Sequence, residues 1–485
     1  MPTPTDNTPH HPVSRKIKYS WLIGLLLVVL SSVSMTGYWL LNSQSGMQWI
    51  FSTIHRLNPD IIQFEGIHGT LQAIQIDHVL FDRDELRLEL HNVQIAWNPV
   101  DLLQKQINIR QITVETLRAL LPPASASDSP PTLPASLQLP FAFSIHQIKV
   151  DSIHVTSAVG EQPALIVSDL TSSLASDGQR HQLNHLDFHT AWGSLSALAT
   201  LNGSTPFDLS GKIDWSGAKH WGDTQAVIAG NLEQMIIQVN AKPPTEKRDL
   251  TLHLHPFAIN PVTQLHAAIA DIDPAIFLAD APHASLSVSA NLAQNASGEL
   301  EGRILVENYS ANTLNNNGLP FSSISTQARI TAEILVLQDI HAQMTANASM
   351  KGNLLWHFKG ATGSGHLLIN RLNPQHVDSR LRAAQVSGQI KLEGDTQKQT
   401  AHIQLKDQSI SLMADVTRSD QQIKLQQFNL QHSKSRLTGK GKFDLGTVPA
   451  FEVSGQLTDF NTADFIQQAP ASNLNAAIHL SGQWA

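Results

Sequence analysis

Alternation of apolar and polar positions dominates the chain from Ile61 onward. In the stretch EGIHGTLQAIQIDHVLF (65–81), Ile74, Ile76, Val79 and Phe81 alternate with Gln75, Asp77 and Leu80. A period of two marks a strand with one oily face. The pattern continues through Leu86, Leu88 and Leu90, then Val93, Ile95 and Trp97. Ile107, Ile109, Ile112 and Val114 follow, and later Phe143, Ile145, Ile148, Val150, Ile153 and Val155. The step is mostly two and occasionally three. A step of three holds one face only if the strand takes in an extra residue, as a β-bulge does, or if a two-residue turn falls there.

Three stretches depart from this pattern. Trp21 to Leu41 carries no charge over 21 residues, enough for a helix to span about 30 Å. Its anchor candidates are Trp21, Leu25, Leu26, Val29, Trp39 and Leu40, with Arg15, Lys16 and Lys18 just before it. The positive-inside rule places residues 1–18 in the cytoplasm and everything after the segment 19–41 on the other side. A cleaved signal peptide, with Ser32-Val33-Ser34 as the cleavage site, is the rival reading. The apolar run passes that site and reaches Leu41, which favours an uncleaved anchor. Next, Met47, Ile50, Phe51, Ile54 and Leu57 share one face of a short amphipathic helix over 42–57. Such a helix lies at a membrane surface or plugs the start of the next domain. Finally, PPASASDSPPTLPASLQLP (122–140) reads as a loop, either a plain linker or a flap over a groove.

The second half repeats itself. IDPAIFLADAPHASLSVSANL (272–292), LNPQHVDSRLRAAQVSGQIKL (372–392) and FNTADFIQQAPASNLNAAIHL (460–480) share one plan. Each places Asp273, Asn373 or Asn461 before Pro274, Pro374 or Thr462, and resumes alternation twelve residues later at Leu286, Val386 or Leu474. Asp or Asn before Pro suits a helix N-cap with Pro at the first helical position. The predicted unit is strand, one helical turn, strand. Repetition on this scale points to an object that grows by stacking.

One-sided strands can bury their oily faces in a β-sandwich, in a membrane barrel, or in one long twisted sheet folded into a groove. At 6 % aromatic residues the chain lacks barrel girdles. Length and repetition favour the groove over sandwich modules: a mainly β fold over 58–485, of about 35 strands if each takes about a dozen residues. Its lining candidates are Leu71, Ile74, Ile76, Leu88, Leu90 and Val93 in the first strands. Ile95, Trp97, Ile107 and Ile109 come next, then Ile145, Ile148 and Val150 after the Pro-rich stretch. An oily trough open to water costs about 25 cal/mol per Å². Acyl chains would fill it favourably and could slide along it.

The net charge of −8 is thinly spread, and charged residues make up 15 % of the 485 residues. Nucleic acid, which needs a concentrated basic surface, is not an expected partner. The absence of cysteine excludes disulfides, thiolate zinc sites and a cysteine nucleophile. Among 23 histidines the densest group is His181, His185, Asp187 and His189, with His253 and His255 as a second pair. On strands these read as outward polar positions opposite Leu186, Phe188, Leu252 and Leu254, so no metal site is expected. ATGSGH (361–366) reads as a turn. No hydrolase, kinase or phosphate-loop signature occurs, and no catalytic residues, cofactor or enzyme activity are expected.

The N-terminal region resembles the periplasmic AsmA-like family, and within it the TamB proteins of the translocation and assembly module. The resemblance rests on the anchor, Glu65-Gly66 with Gly69-Thr70-Leu71, the Leu86–Trp97 double strand ending in Trp97-Asn98-Pro99, Leu102-Leu103, and the Pro-rich break leading into Pro140–Ile145. It is good over about residues 15–160 and looser beyond. It implies a single-pass protein of the bacterial inner membrane with its bulk in the periplasm. It also implies a β-taco groove, a bridge carrying phospholipid towards the outer membrane, and pairing with a TamA-like outer-membrane barrel. TamB proteins are usually much longer, so the end at Ala485 is read as a truncation that leaves the TamA-like contact open. A second hypothesis makes the chain an assembly factor for barrel or autotransporter proteins, acting through sheet-edge pairing. A third makes it a passive tether.

Overall fold

β-Structure starts at Ile62 and recurs to Gln483, as the period of two requires. The computed structural model describes residues 29–32, 35–40, 42–57, 61–83, 86–121, 132–157, 165–217, 222–242, 248–276, 281–419, 421–446 and 448–483. The strands belong to one open sheet of 26, and range from 7 to 16 residues. That is fewer than the roughly 35 expected from strand length alone, because turns and long connectors take up residues between them. Arg15, Lys16, Lys18, Trp21, Leu25 and Leu26 lie outside the described residues. Residues 29–32 and 35–40 are helical, with Val29 and Trp39 exposed and Leu40 half-buried. No helix of the described residues is long and apolar enough to cross a membrane. The chain divides into two compact units.

The first unit comprises residues 1–124, 139–178 and 183–190. It opens with helix α1 (Gln44–Leu57) and strands β1 (Ile62–Thr70), β2 (Ala73–Arg83), β3 (Leu86–Asn98), β4 (Gln106–Leu121), β5 (Ala142–Ser157) and β6 (Leu165–Ser176). Of the two places expected for the amphipathic helix, α1 takes the second and plugs the sheet's apolar face. Met47 is completely buried among Ile74, Ile76, Val79, Val93, Val114 and Val150. Phe51 meets Phe64 edge-on, with ring centroids 5.0 Å apart, a favourable geometry for two quadrupoles.

The steps at Ile109–Ile112 and Ile145–Ile148 coincide with register shifts against β3 and β6, but those at Ile76–Val79, Leu90–Val93 and Val150–Ile153 are not isolated bulges. Each of β1 to β6 takes in a residue at the same row, so both partners skip together and the register survives. On one side of the skip lie the pairs Ile67–Ile76, Ile76–Val93, Val114–Val150 and Val150–Leu170. On the other side Phe64, Val79, Leu90, Leu117, Ile153 and Val167 are joined strand to strand. Between these apolar rows runs a polar crease: Gly66, Asp77, Asn92, Glu115, Asp151 and Asp169. Gly66, Asn92 and Asp169 have positive φ there (64°, 53° and 53°), the conformation that glycine and Asn/Asp tolerate best. Asn92 donates to Glu115 across the crease.

β4 and β5 pair in parallel, from Gln106–Ala142 to Leu121–Ser157. A parallel pair needs a crossover of a dozen or more residues, and the Pro-rich stretch 122–140 supplies it. Residues 122–131 lie outside the described residues, and 132–140 are irregular. Within the first unit, the Leu139 N–H donates to Gly178 O at 2.8 Å.

The second unit comprises residues 125–138, 179–182 and 191–485. The Leu137 N–H donates to Gly203 O at 3.0 Å, and Gln138 Nε2 donates to Ser204 Oγ at 2.8 Å. The end of the Pro-rich stretch is therefore a strap tied to the sheet. From Gly193–Asn202 to Leu474–Gln483 each strand pairs antiparallel with the next.

The predicted repeat takes the form expected. Strands end at Ile272, Leu372 and Phe460; single helical turns follow at Pro274–Ile276, Pro374–Val377 and Thr462–Asp464; strands resume at Leu286, Val386 and Leu474. One side-chain oxygen organises each connector. Asp273 Oδ1 accepts from the Ala275 and Ala284 N–H groups, Asn373 Oδ1 from Gln375 and Ala384, and Asn461 Oδ1 from Ala463 and Ser472. The offsets are two and eleven residues in every copy. Two residues before each cap, Asp271, Arg371 and Asp459 have positive φ where the register shifts, turning the chain off the sheet. The connectors then bond to one another. The His283 N–H donates to Asn317 O, Asn315 and Ser379 bond reciprocally, and the Arg382 N–H donates to Phe465 O at 2.8 Å.

Candidate functional site

The ladders align one residue from each strand of the second unit into a single row. It begins Ala199, Gly211, Ile228, Ile237, Leu252 and Leu265. It continues through Leu292, Gly302, Ala328, Leu337, Leu354 and Gly365. It ends with Leu392, Ala401, Val416, Leu425, Gly441, Val453 and Leu480. No polar side chain interrupts it across 19 strands. With hydrophobic residues at 41 % of the chain, composition alone would break such a row many times. Ordinary sheets bury this face under a second layer. Here several of its members, among them Leu337, Leu354, Leu392, Ala401 and Val416, stay half-buried.

The row opens into a cleft where glycines replace side chains. Leu335 pairs with Trp356, Trp356 with Gly363, and Gly363 with Gly394, beside the Leu354–Gly365–Leu392–Ala401–Val416 part of the row. The hollow measures about 530 Å³ and has Arg418 and Glu393 among its lining residues. A Cβ on Gly363 would run into the Trp356 ring, and one on Gly365 into the end of the Leu354 side chain. The glycines let those side chains lean over the strand. This corrects the reading of ATGSGH as a turn: Thr362–Leu372 is a strand, and its Gly363 forms the cleft floor with Gly394 of the next strand. The opposite face carries Lys391, His366 and Asn353, which line a more polar cavity of about 850 Å³.

In the first unit the predicted lining residues fall into two groups. Ile74, Ile76, Val93 and Val150 are buried, and Leu71, Leu90, Ile95, Trp97 and Ile148 pack against them. Leu88, Ile107, Ile109 and Ile145 are half-buried and lie outside that cluster. Trp97 Nε1 donates to Leu71 O, tying two of the residues together. The helix plug means that much of this face is covered by Met47 and Phe51 rather than open. Leu354 and Val416 of the long row, and Trp356 beside it, carry no individual signal in the sequence. The alternation around them was visible, but the register that aligns them was not.

The histidine group separates. His185 Nε2 lies 2.7 Å from Asp187 Oδ2, and His181 Nε2 bonds Leu137 O at 2.9 Å. A different cluster, His78, Glu89 and His91, brings its ligand atoms within 4.8 Å of one another.

The crease, the helix plug and the parallel crossover all fall within one stretch, and residues 33–158 of it match the family described as TamB, N-terminal domain. Residues 33–158 are a TamB-like N-terminal domain. The matched span runs to the end of β5, so the TamB-like domain holds α1, five of the six creased strands and the Pro-rich crossover. No curated protein and no solved structure gives a match.

Proposed function

We propose that this chain is an inner-membrane-anchored bridge of the periplasm that carries phospholipid along its apolar row towards the outer membrane. The observation that carries this reading is the unbroken row from Ala199 to Leu480, together with the glycine-floored cleft at Trp356. Each buried methylene of an acyl chain contributes about 0.8 kcal/mol. A row of aliphatic residues with no polar anchor gives every segment of a chain similar affinity, which suits movement more than storage. Arg418, at the edge of the cleft, supplies a cation for a phosphate headgroup. The proposal involves no bond-making step, no cofactor and no catalytic residue. Pairing with a TamA-like barrel belongs to the same proposal and is supported by the TamB-like domain.

Site-specific photocrosslinking tests it. A benzophenone amino acid at Leu392 should capture phospholipid in cells, and one at Lys391, on the opposite face of the same strand, should not. Equal labelling at both positions, or none at either, would remove the lipid reading. It would favour assembly by strand pairing, in which crosslinks run to client proteins.

A further inference from the structure

The polar face beside the crease holds a group of side chains that the lipid reading does not use. His78 of β2 and His91 of β3 are direct cross-strand partners. Their rings stack with centroids 4.8 Å apart and planes 26° from parallel. Glu89, two residues before His91, projects from the same side of β3. Strand alternation puts all three opposite Val79 and Leu90, on the face away from the buried cluster. One of the three is held by a cost: His91 Nε2 is sealed from solvent and has no hydrogen-bond partner among the described residues. An orphaned ring nitrogen in that position is destabilising unless something coordinates or bonds it.

We propose that His78, His91 and Glu89 form a binding site for a zinc-class divalent ion that clips β2 to β3. Two imidazoles and a carboxylate suit zinc and its late first-row neighbours, and leave a fourth position for water. Magnesium and calcium prefer all-oxygen sites. Ligand atoms up to 4.8 Å apart are wider than the roughly 3.4 Å edge of a zinc tetrahedron, so the side chains must draw together by about an ångström as the ion enters. The surrounding groups are placed as outer partners of a metal site. Glu65 Oε2 lies 3.6 Å from His78 Nδ1, which leaves Nε2 of that ring for the ion. Arg87 binds Glu89 Oε1 at 2.8 and 3.0 Å, which leaves the second carboxylate oxygen.

The test is calorimetric titration of zinc chloride into the full chain, purified in detergent and stripped with chelator. With 23 histidines present, weak background binding is expected, so the readout is a difference between variants. Wild type should bind one more equivalent than His91→Ala or His78→Ala, while His185→Ala keeps it. Glu89→Gln, which preserves shape, should weaken that equivalent about tenfold or more. Zinc should also slow amide exchange in β2 and β3 of the wild type alone. The same stoichiometry in all the variants would overturn the proposal, as would loss of the equivalent in His185→Ala. If His91→Ala fails to fold by circular dichroism, Glu89→Gln decides alone, and unchanged affinity there counts against the site.

Discussion

Gly66 of β1 and Asp77 of β2 face each other in the crease, and a Cβ on Gly66 would overlap the Asp77 carboxylate. Gly66 also has φ +64°. Gly66→Ala therefore meets two penalties at once, the left-handed backbone and the overlap. Together they should cost about 2–4 kcal/mol, read as a lower midpoint in chemical denaturation. Asp169→Gly, at φ +53° in the same crease, should cost far less, because glycine accepts that backbone freely. Equal losses in the two variants would mean that the crease is not what fixes these residues.

The connector caps give a second prediction. Asn373→Ala removes the acceptor for the Gln375 and Ala384 N–H groups, at a cost of about 1–2 kcal/mol. The connectors bond to each other through Arg382 and Phe465, so the loss should not stay local. Amide exchange should quicken over 374–385 and also over 461–469. Faster exchange at the first segment alone would show that the connectors act singly.

The three caps differ in one chemical respect: Asp273 can be protonated, and Asn373 and Asn461 cannot. Burial pushes the Asp273 carboxyl up, but hydrogen bonds from His283 and from the Ala275 and Ala284 N–H groups outweigh it, so it ionises below the usual carboxylate range. A folded pKa below the unfolded one means that its stabilisation is complete above about pH 4. It is lost as pH falls through the folded value. Exchange over 274–276 and 281–285 should therefore accelerate as pH falls below about 4, relative to 374–385. Asp273→Asn should abolish that difference while keeping the cap, and an unchanged acid response in that variant would refute the assignment.

Much of this architecture is legible in the sequence because it depends on local chemistry. The caps are short-range features, so Asp273-Pro274 and Asn373-Pro374 announce the connectors and even fix where Leu286, Val386 and Leu474 resume the sheet. The third copy survives with Thr462 in place of proline because the Asn461 oxygen, rather than the ring, does the organising. The crease is visible only as steps of three, because Gly66, Asp77, Asn92 and Glu115 share no residue type. Its concerted nature requires knowing which strands pair. The same holds for the parallel β4–β5 ladder, where the Pro-rich stretch reads as a linker or a flap and carries no local sign of a crossover. The cleft floor is concealed by its own composition: Gly363 resembles a turn residue until the ladder places Trp356 beside it.

Gly365 is the position where the lipid reading can be separated from a folding effect. Its backbone is ordinary for a strand, since it is absent from the positive-φ residues. An added side chain there meets chiefly the movable end of Leu354 rather than backbone. Gly302 and Gly388 differ, because a Cβ at either would strike backbone oxygen. Gly365 sits between Leu354 and Leu392, which line the cleft, so Gly365→Leu should crowd the cleft through them without breaking the sheet. It should raise stability by about 0.5–1 kcal/mol, because a glycine leaves the interior of a strand. If acyl chains use the hollow, the same variant should lose lipid crosslinking at Leu392 several-fold. A variant that is more stable and binds less lipid cannot be explained by misfolding. Full crosslinking in a stable Gly365→Leu protein would show that the cleft is not part of the path, and would leave assembly by strand pairing as the better account.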